Sequence, residues 1–201
     1  LTESIRVTGR SGHSSNPALG INAIEIMHQV ISQLLEFRNG ISHKYSNKLF
    51  EIPYPTLNLG AIHGGDNANR ICGCCELHID IRPLPGMSLA DLYSELNTAL
   101  KQLMLSSPGT IELTSMHPPI PGFEQAENSK FVQLTEQISG VQAEAVNYCT
   151  EAPFIQQLGC DTLVLGPGSI KQAHQPDEFL DLSTINQSQQ AINNLIRRLC
   201  F

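Results

Sequence analysis

The chain has 201 residues, with 12 Lys and Arg against 19 Asp and Glu, giving a formal charge of -7. A hydrophobic fraction of 41% excludes a disordered chain, no stretch approaches the ~18 consecutive apolar residues of a membrane span, and acidity without a Lys/Arg cluster removes the electrostatic footprint of a nucleic-acid binder. Charged residues make up 15%, below the roughly 25% usual for soluble domains, so much of the surface is expected to be neutral polar or to meet something else.

Residues 5–10 alternate apolar and polar and predict a half-buried strand; Ser11–Gly20 is a Gly/Ser/Asn/Pro loop. Asn22 with Glu25 three residues on predicts a helix start, with Ile24, Met27, Ile31 and Leu34 as its stripe and Gly40 as its end. Residues 56–63 alternate again, Leu57, Leu59 and Ala61 against Asn58, Gly60 and Ile62, and Gly64-Gly65-Asp66-Asn67 signals a turn. Residues 71–82 predict the longest strand. Its expected inner face is Ile71, Cys75, Leu77, Ile79 and Ile81, and its open face Cys72, Cys74, Glu76, His78, Asp80 and Arg82. Ser88 with Asp91 caps a second helix striped with Leu89, Leu92, Leu96, Leu100 and Leu103, and 111–114 supply a fourth strand. The order β-α-β-β-α-β over 5–115 is the ferredoxin-like arrangement, an antiparallel sheet with two helices on one face.

His117-Pro118-Pro119-Ile120-Pro121-Gly122 marks a domain boundary, giving expected domains 1–115 and 116–201. Beyond it the pattern predicts helix 129–139, strand 143–148, helix 152–158, strand 162–165 and helix 183–200, an α/β alternation with a parallel sheet short of partner strands. The class is therefore mixed, α+β followed by partial α/β. The six cysteines are read as reduced thiols, since three of them crowd into residues 72–75 where mutual bridging is geometrically difficult.

Several groups could carry chemistry. His13, on Gly12-His13-Ser14-Ser15, could donate to a developing oxyanion, although an exposed loop histidine is the more frequent meaning of such a residue. His174, with Asp177 or Glu178 nearby after Gly166-Pro167-Gly168, could ligate a metal; one His alone is not a site. Asn69-Arg70, and Arg82 at the far end of the long strand, could hold a carboxylate, against the commoner reading of a solvated sheet face. Cys72, Cys74 and His78 lack the second ligand pair of a structural zinc site. Thr150-Glu151 stands either at a site or at a helix start.

The ordered run from Gly12-His13-Ser14-Ser15-Asn16-Pro17 through Asp66-Asn67-Ala68-Asn69-Arg70-Ile71 and Ile79-Asp80-Ile81-Arg82-Pro83 to Gly166-Pro167-Gly168 and Ala173-His174 resembles the zinc aminoacylase and deacetylase metallopeptidases. Within them, Asn147-Tyr148-Cys149-Thr150-Glu151-Ala152-Pro153-Phe154 and Gln172-Ala173-His174-Gln175-Pro176-Asp177-Glu178 are similar to the branch that hydrolyses N2-acetyl-L-ornithine to ornithine and acetate, a step of arginine biosynthesis.

The resemblance implies that 1–115 is a ferredoxin-like lid and dimerisation domain and 116–201 the C-terminal part of a catalytic domain holding two zinc ions, with cobalt able to substitute. It gives His13 the role of oxyanion donor in the partner subunit's site, Asn69, Arg82, Glu151 and Gly168 substrate contacts, and His174 the last metal ligand. The family's His-x-Asp motif, bridging Asp and Glu-Glu pair with the general base would precede the lid, and Leu1 fits a chain that begins inside a longer protein. The expectation is a chain inactive alone, cytoplasmic and homodimeric, with its first helix and the strand before it meeting their two-fold mates, and with apolar surface exposed over 143–165. The alternatives are a non-catalytic dimeric binding module and a related deacetylase or desuccinylase of different substrate.

Overall fold

The structure, a computed structural model, describes residues 1–146 and 148–201. They form two compact units, Leu1–Gly122 and Phe123–Phe201.

In the first unit, β1 (Thr2–Thr8), β3 (Thr56–Gly64), β5 (Cys74–Arg82) and β6 (Thr110–Ser115) make an antiparallel sheet in the order β3-β5-β1-β6. Helices α1 (Ala23–Lys44) and α2 (Leu89–Ser106) pack together on one face. This is the expected ferredoxin-like topology. Period-two burial produces the layering: Ile5 and Val7 of β1 and Cys75, Leu77, Ile79 and Ile81 of β5 are buried beneath Met27, Val30, Leu34, Leu92, Leu96 and Leu100. The open face carries Ser4, Arg6, Glu76 and His78, with Ser4 Oγ donating to Glu76 Oε1 (2.8 Å) and Arg6 pairing with Oε2 (2.7 Å).

The elements depart from expectation at several points. β1 lies between β5 and β6, so the strand before the first helix is interior and cannot pair with a mate edge to edge; the free edges belong to β3 and β6. Helix α1 begins as expected, with Asn22 Oδ1 accepting the Ile24 N–H (3.0 Å) and Asn22 Nδ2 donating to Glu25. It runs through Gly40 to Lys44, where Lys44 bonds Glu95 of α2 (2.5 Å), because contacts to α2 outweigh the weak helix preference of one glycine. The buried stripe of α1 is Ala23, Ile26, Met27, Val30, Leu34 and Ile41, whereas Ile24 is exposed. In β3 a bulge at Gly60 shifts the register between Leu59 and Ala61, so that Ala61 faces His78 and Ile62 faces Leu77, while burial keeps the expected alternation, with Ile62 53% exposed.

The predicted strand 71–82 is two strands. A short ribbon pairs β2 (Gly12–His13) with β4 (Arg70–Ile71), and the chain breaks at Cys72-Gly73 before β5 starts. The Cys72 and Gly73 carbonyls leave the ladder to accept the Ala23 N–H (2.8 Å) and the Gly9 N–H (2.9 Å), and Cys72 turns inward to be buried rather than open. A Cβ at Gly73 would meet Ser11 Oγ at 2.4 Å, which explains glycine at the break.

The second unit contains α3 (Lys130–Ser139), α4 (Ala152–Gln156) and α5 (Ser183–Cys200), with α3 packed on α5. Ser129 caps α3 through the Phe131 N–H, and Gly140 ends it in the left-handed region at φ 71°. The strands expected at 143–148 and 162–165 do not form among the described residues; Asn147 lies outside them. A strand of a parallel sheet exists only through its neighbours, and among the described residues 162–165 joins no sheet, with Val164 55% exposed.

Candidate functional site

The β2–β4 ribbon brings two of the candidate residues together. His13 pairs with Arg70 in the ladder, and the Ser14 N–H donates to the Asn69 carbonyl (3.0 Å), so His13 and Asn69, distant in sequence, are neighbours on one hairpin-like arm. Close packing fixes the arm's base: a Cβ at Gly20 would meet the Ile71 Cδ1 at 2.6 Å and the Arg10 carbonyl at 2.7 Å. Behind Asn69, the Asn67 side chain accepts the Asn69 N–H (3.2 Å), and Asp66 pairs with Arg70, which occupies that guanidinium within the loop. The ribbon lies within the loop expected over 11–20, because a two-residue pairing is too short to leave a periodic signal.

The imidazole of His13 is exposed. Its Nδ1 receives the Ser15 N–H (3.2 Å) and lies 2.8 Å from Ser15 Oγ. Arg82 is not part of this arm. It closes the far end of β5, about 26 Å along the strand from Cys74, and donates to Asp80 (2.6 Å).

The cysteine cluster does not assemble as metal ligands. Cys72 is buried with its thiol on the Cys74 carbonyl (3.0 Å), Cys74 is exposed, and burial first, then Cys72 and Cys74, pushes the Cys75 thiol up. His78 is bound instead to Glu76 Oε1 (3.1 Å). All six cysteines are outside disulfides, as expected.

In the second unit His174 is the one non-glycine described residue with positive φ, 63°. Left-handed backbone is uncommon outside glycine, though histidine is among the residues that adopt it most readily. The Glu178 carboxylate holds it by accepting the His174 N–H (3.0 Å), and the exposed ring has no protein partner among the described residues. Gly168 also has positive φ, 90°, and its N–H donates to Thr184 Oγ1 (3.1 Å), tying the Gly-Pro-Gly loop to the start of α5. Just before that start lies Asp181, whose carboxyl is held below the usual range by the Ser183 hydroxyl and then the Ser183 N–H. Glu151 is exposed and makes no side-chain cap; Thr150 Oγ1 takes the Ala152 N–H (3.2 Å) instead. Among the described residues no three His, Cys, Asp or Glu side chains converge on a metal position. His174, exposed, with its ring unpartnered among the described residues and its backbone braced by Glu178, has the chemistry of one metal ligand and no more than one.

Comparison places the sheet and its two helices in a known class: residues 1–107 match the peptidase dimerisation domain family M20_dimer, and the chain belongs to that family. Its relatives are more specific still. It is 57% identical over 200 residues to an acetylornithine deacetylase of Edwardsiella ictaluri, covering all of this chain and 52% of that protein, and 55% identical over 201 residues to one of Vibrio cholerae, covering 53% of it. The chain thus spans about half the length of the curated relatives it matches. In fold it is similar to a tripeptidase from Staphylococcus aureus (TM-score 0.73, 19% identity, 98% of this chain and 50% of that one) and to aminopeptidase PepT from Bacillus cereus (TM-score 0.71, 18% identity, 100% and 52%).

Proposed function

We propose that this chain is the lid and dimerisation domain (1–115) and the C-terminal part of the catalytic domain (116–201) of a bacterial, cytoplasmic acetylornithine deacetylase, a homodimer that hydrolyses N2-acetyl-L-ornithine to ornithine and acetate and so serves arginine biosynthesis. The observation that carries this reading is identity of 57% to such an enzyme over the whole chain, both units included. His13 donates a hydrogen bond to the oxyanion that develops on the acetyl carbonyl, acting in the partner subunit's site. Asn69, its neighbour on the arm, directs its side-chain amide to the substrate carboxylate; Arg82, too far along β5 to reach the same molecule, makes its carboxylate contact in the dimer's other site. Glu151 and Gly168 line the pocket, and His174 gives one imidazole to the metal centre. Two divalent ions, zinc or substituting cobalt, polarise the carbonyl and activate water when bound. The general base and the remaining ligands come from sequence outside this chain.

The test is kinetic. H13N in the longer enzyme lowers kcat by about 10²-fold, the usual effect of losing one oxyanion donor, while the isolated 201-residue chain with zinc or cobalt shows no turnover. Turnover by the isolated chain, or full activity of H13N, overturns the reading. Comparison of acetylornithine with succinyl-diaminopimelate and acetylcitrulline decides the substrate.

A further inference from the structure

We propose that Ser15 is a positioning residue that fixes the tautomer of His13, holding Nδ1 as an acceptor so that the ring proton resides on Nε2. The inference rests on the reading of His13 as an oxyanion donor. Its geometry is local and directional. The Ser15 N–H points at Nδ1 from 3.2 Å, and a backbone amide can only donate. Nδ1 must therefore present its lone pair, and the Ser15 hydroxyl, 2.8 Å away, donates to the same nitrogen. A proton on Nδ1 would face the amide N–H across that distance and lose that bond, the hydroxyl alone being able to reverse its role. A neutral imidazole has one N–H, so the amide contact leaves it on Nε2, and the hydroxyl then adds a second donor to Nδ1.

The backbone on either side is held independently. His13 is in register with Arg70, the Ser14 N–H is on the Asn69 carbonyl (3.0 Å), and the Asn16 N–H is on the His13 carbonyl (3.1 Å). Those bonds set where the residue sits, and Ser15 sets how the ring is turned and which nitrogen donates. Nε2 has no partner among the described residues, so it is the nitrogen available for an external acceptor. The opposite tautomer would offer an oxyanion a lone pair and would remove the stabilisation rather than weaken it.

Nitrogen NMR on the histidine-labelled chain, at a pH where imidazoles are neutral and with H13N assigning the resonance, reads the tautomer directly. The expected result is a protonated Nε2 and a hydrogen-bonded, unprotonated Nδ1. Ser15→Ala keeps the amide but removes the hydroxyl, so the Nδ1 resonance moves downfield towards that of an unbonded nitrogen, and Ser15→Thr restores it. In the longer enzyme S15A lowers kcat about fivefold, the effect of one ordinary hydrogen bond, with KM changed less than twofold, and S15T recovers most of the loss. A proton on Nδ1 in the wild type, an Nδ1 resonance indifferent to S15A, or an unchanged kcat in S15A overturns the proposal. An active H13N enzyme overturns the functional reading instead, and the tautomer then stands or falls on the NMR alone.

Discussion

Glu76 shows how one residue on the open sheet face turns composition into a pH response. Its carboxyl is held down from about 4.5 to about 2 by hydrogen bonds from His78 first, then Ser4, with Arg6 adding to them. A carboxyl lowered in the folded state favours folding wherever it is ionised in both states, above about 4.5, and that advantage is lost as pH falls towards about 2. Glu76→Gln removes this dependence: its acid unfolding, followed by circular dichroism, is flatter between pH 4.5 and 2 than that of the wild type. Equal slopes for the two proteins would show that the three partners do not act on Glu76 in the folded state. This network was half legible in the sequence. Alternation put Glu76 and His78 on one face, but the pairing of His63 with Glu76, which brings the two imidazole rings to 6.3 Å, follows from the bulge at Gly60, and a bulge leaves no signal in residue periodicity.

Elements were legible where their own residues decide them. Asn22 and Ser88 begin α1 and α2 because their side chains satisfy orphan amides at the helix starts, a local act that any reading of the chain can find. The end of α1 depends on tertiary contact, Lys44 on Glu95 and Ile41 in the core, and so a stop assigned to Gly40 fails. Gly40 is consequently a weak point inside a formed helix. A Cβ there meets nothing within 4 Å, and the residue is exposed. Gly40→Ala stabilises the fold by about 0.5–1 kcal/mol in urea denaturation, since alanine loses less backbone entropy on entering a helix. A destabilised variant would mean that the helix bends at Gly40. The ribbon of β2 and β4 is the reverse case: two residues per strand cannot form alone, and it stands because Cys72 and Gly73 are pinned to Ala23 and Gly9. Its position at the first turn of α1 couples the His13 arm to the helix layer rather than to solvent.

At the scale of the whole chain, the two units differ in how they bury apolar surface. Leu1–Gly122 has a continuous core of two helices on a sheet, with Ile5, Leu77, Ile81, Leu96 and Leu100 all sealed from solvent. In Phe123–Phe201 the buried apolar side chains are few, Val132, Ala152 and Ala191 among them, while Leu158 is 81% exposed, Leu182 73% and Phe179 61%. Such a surface is characteristic of an interface rather than of a finished exterior. The chain spans about half the length of its relatives, so a segment of the longer protein is the natural cover for this surface. The sequence showed this only as a mismatch: α/β alternation with too few strands. Local opening tracks the density of buried contacts. Limited proteolysis of the 201-residue chain therefore cuts first within 141–182 and leaves 1–115 as a resistant fragment, whereas in the longer protein the same segment is protected. Equal resistance of the two units in the isolated chain would show that Phe123–Phe201 is stable with its apolar side chains in water, and the argument for a covering segment would fail with it.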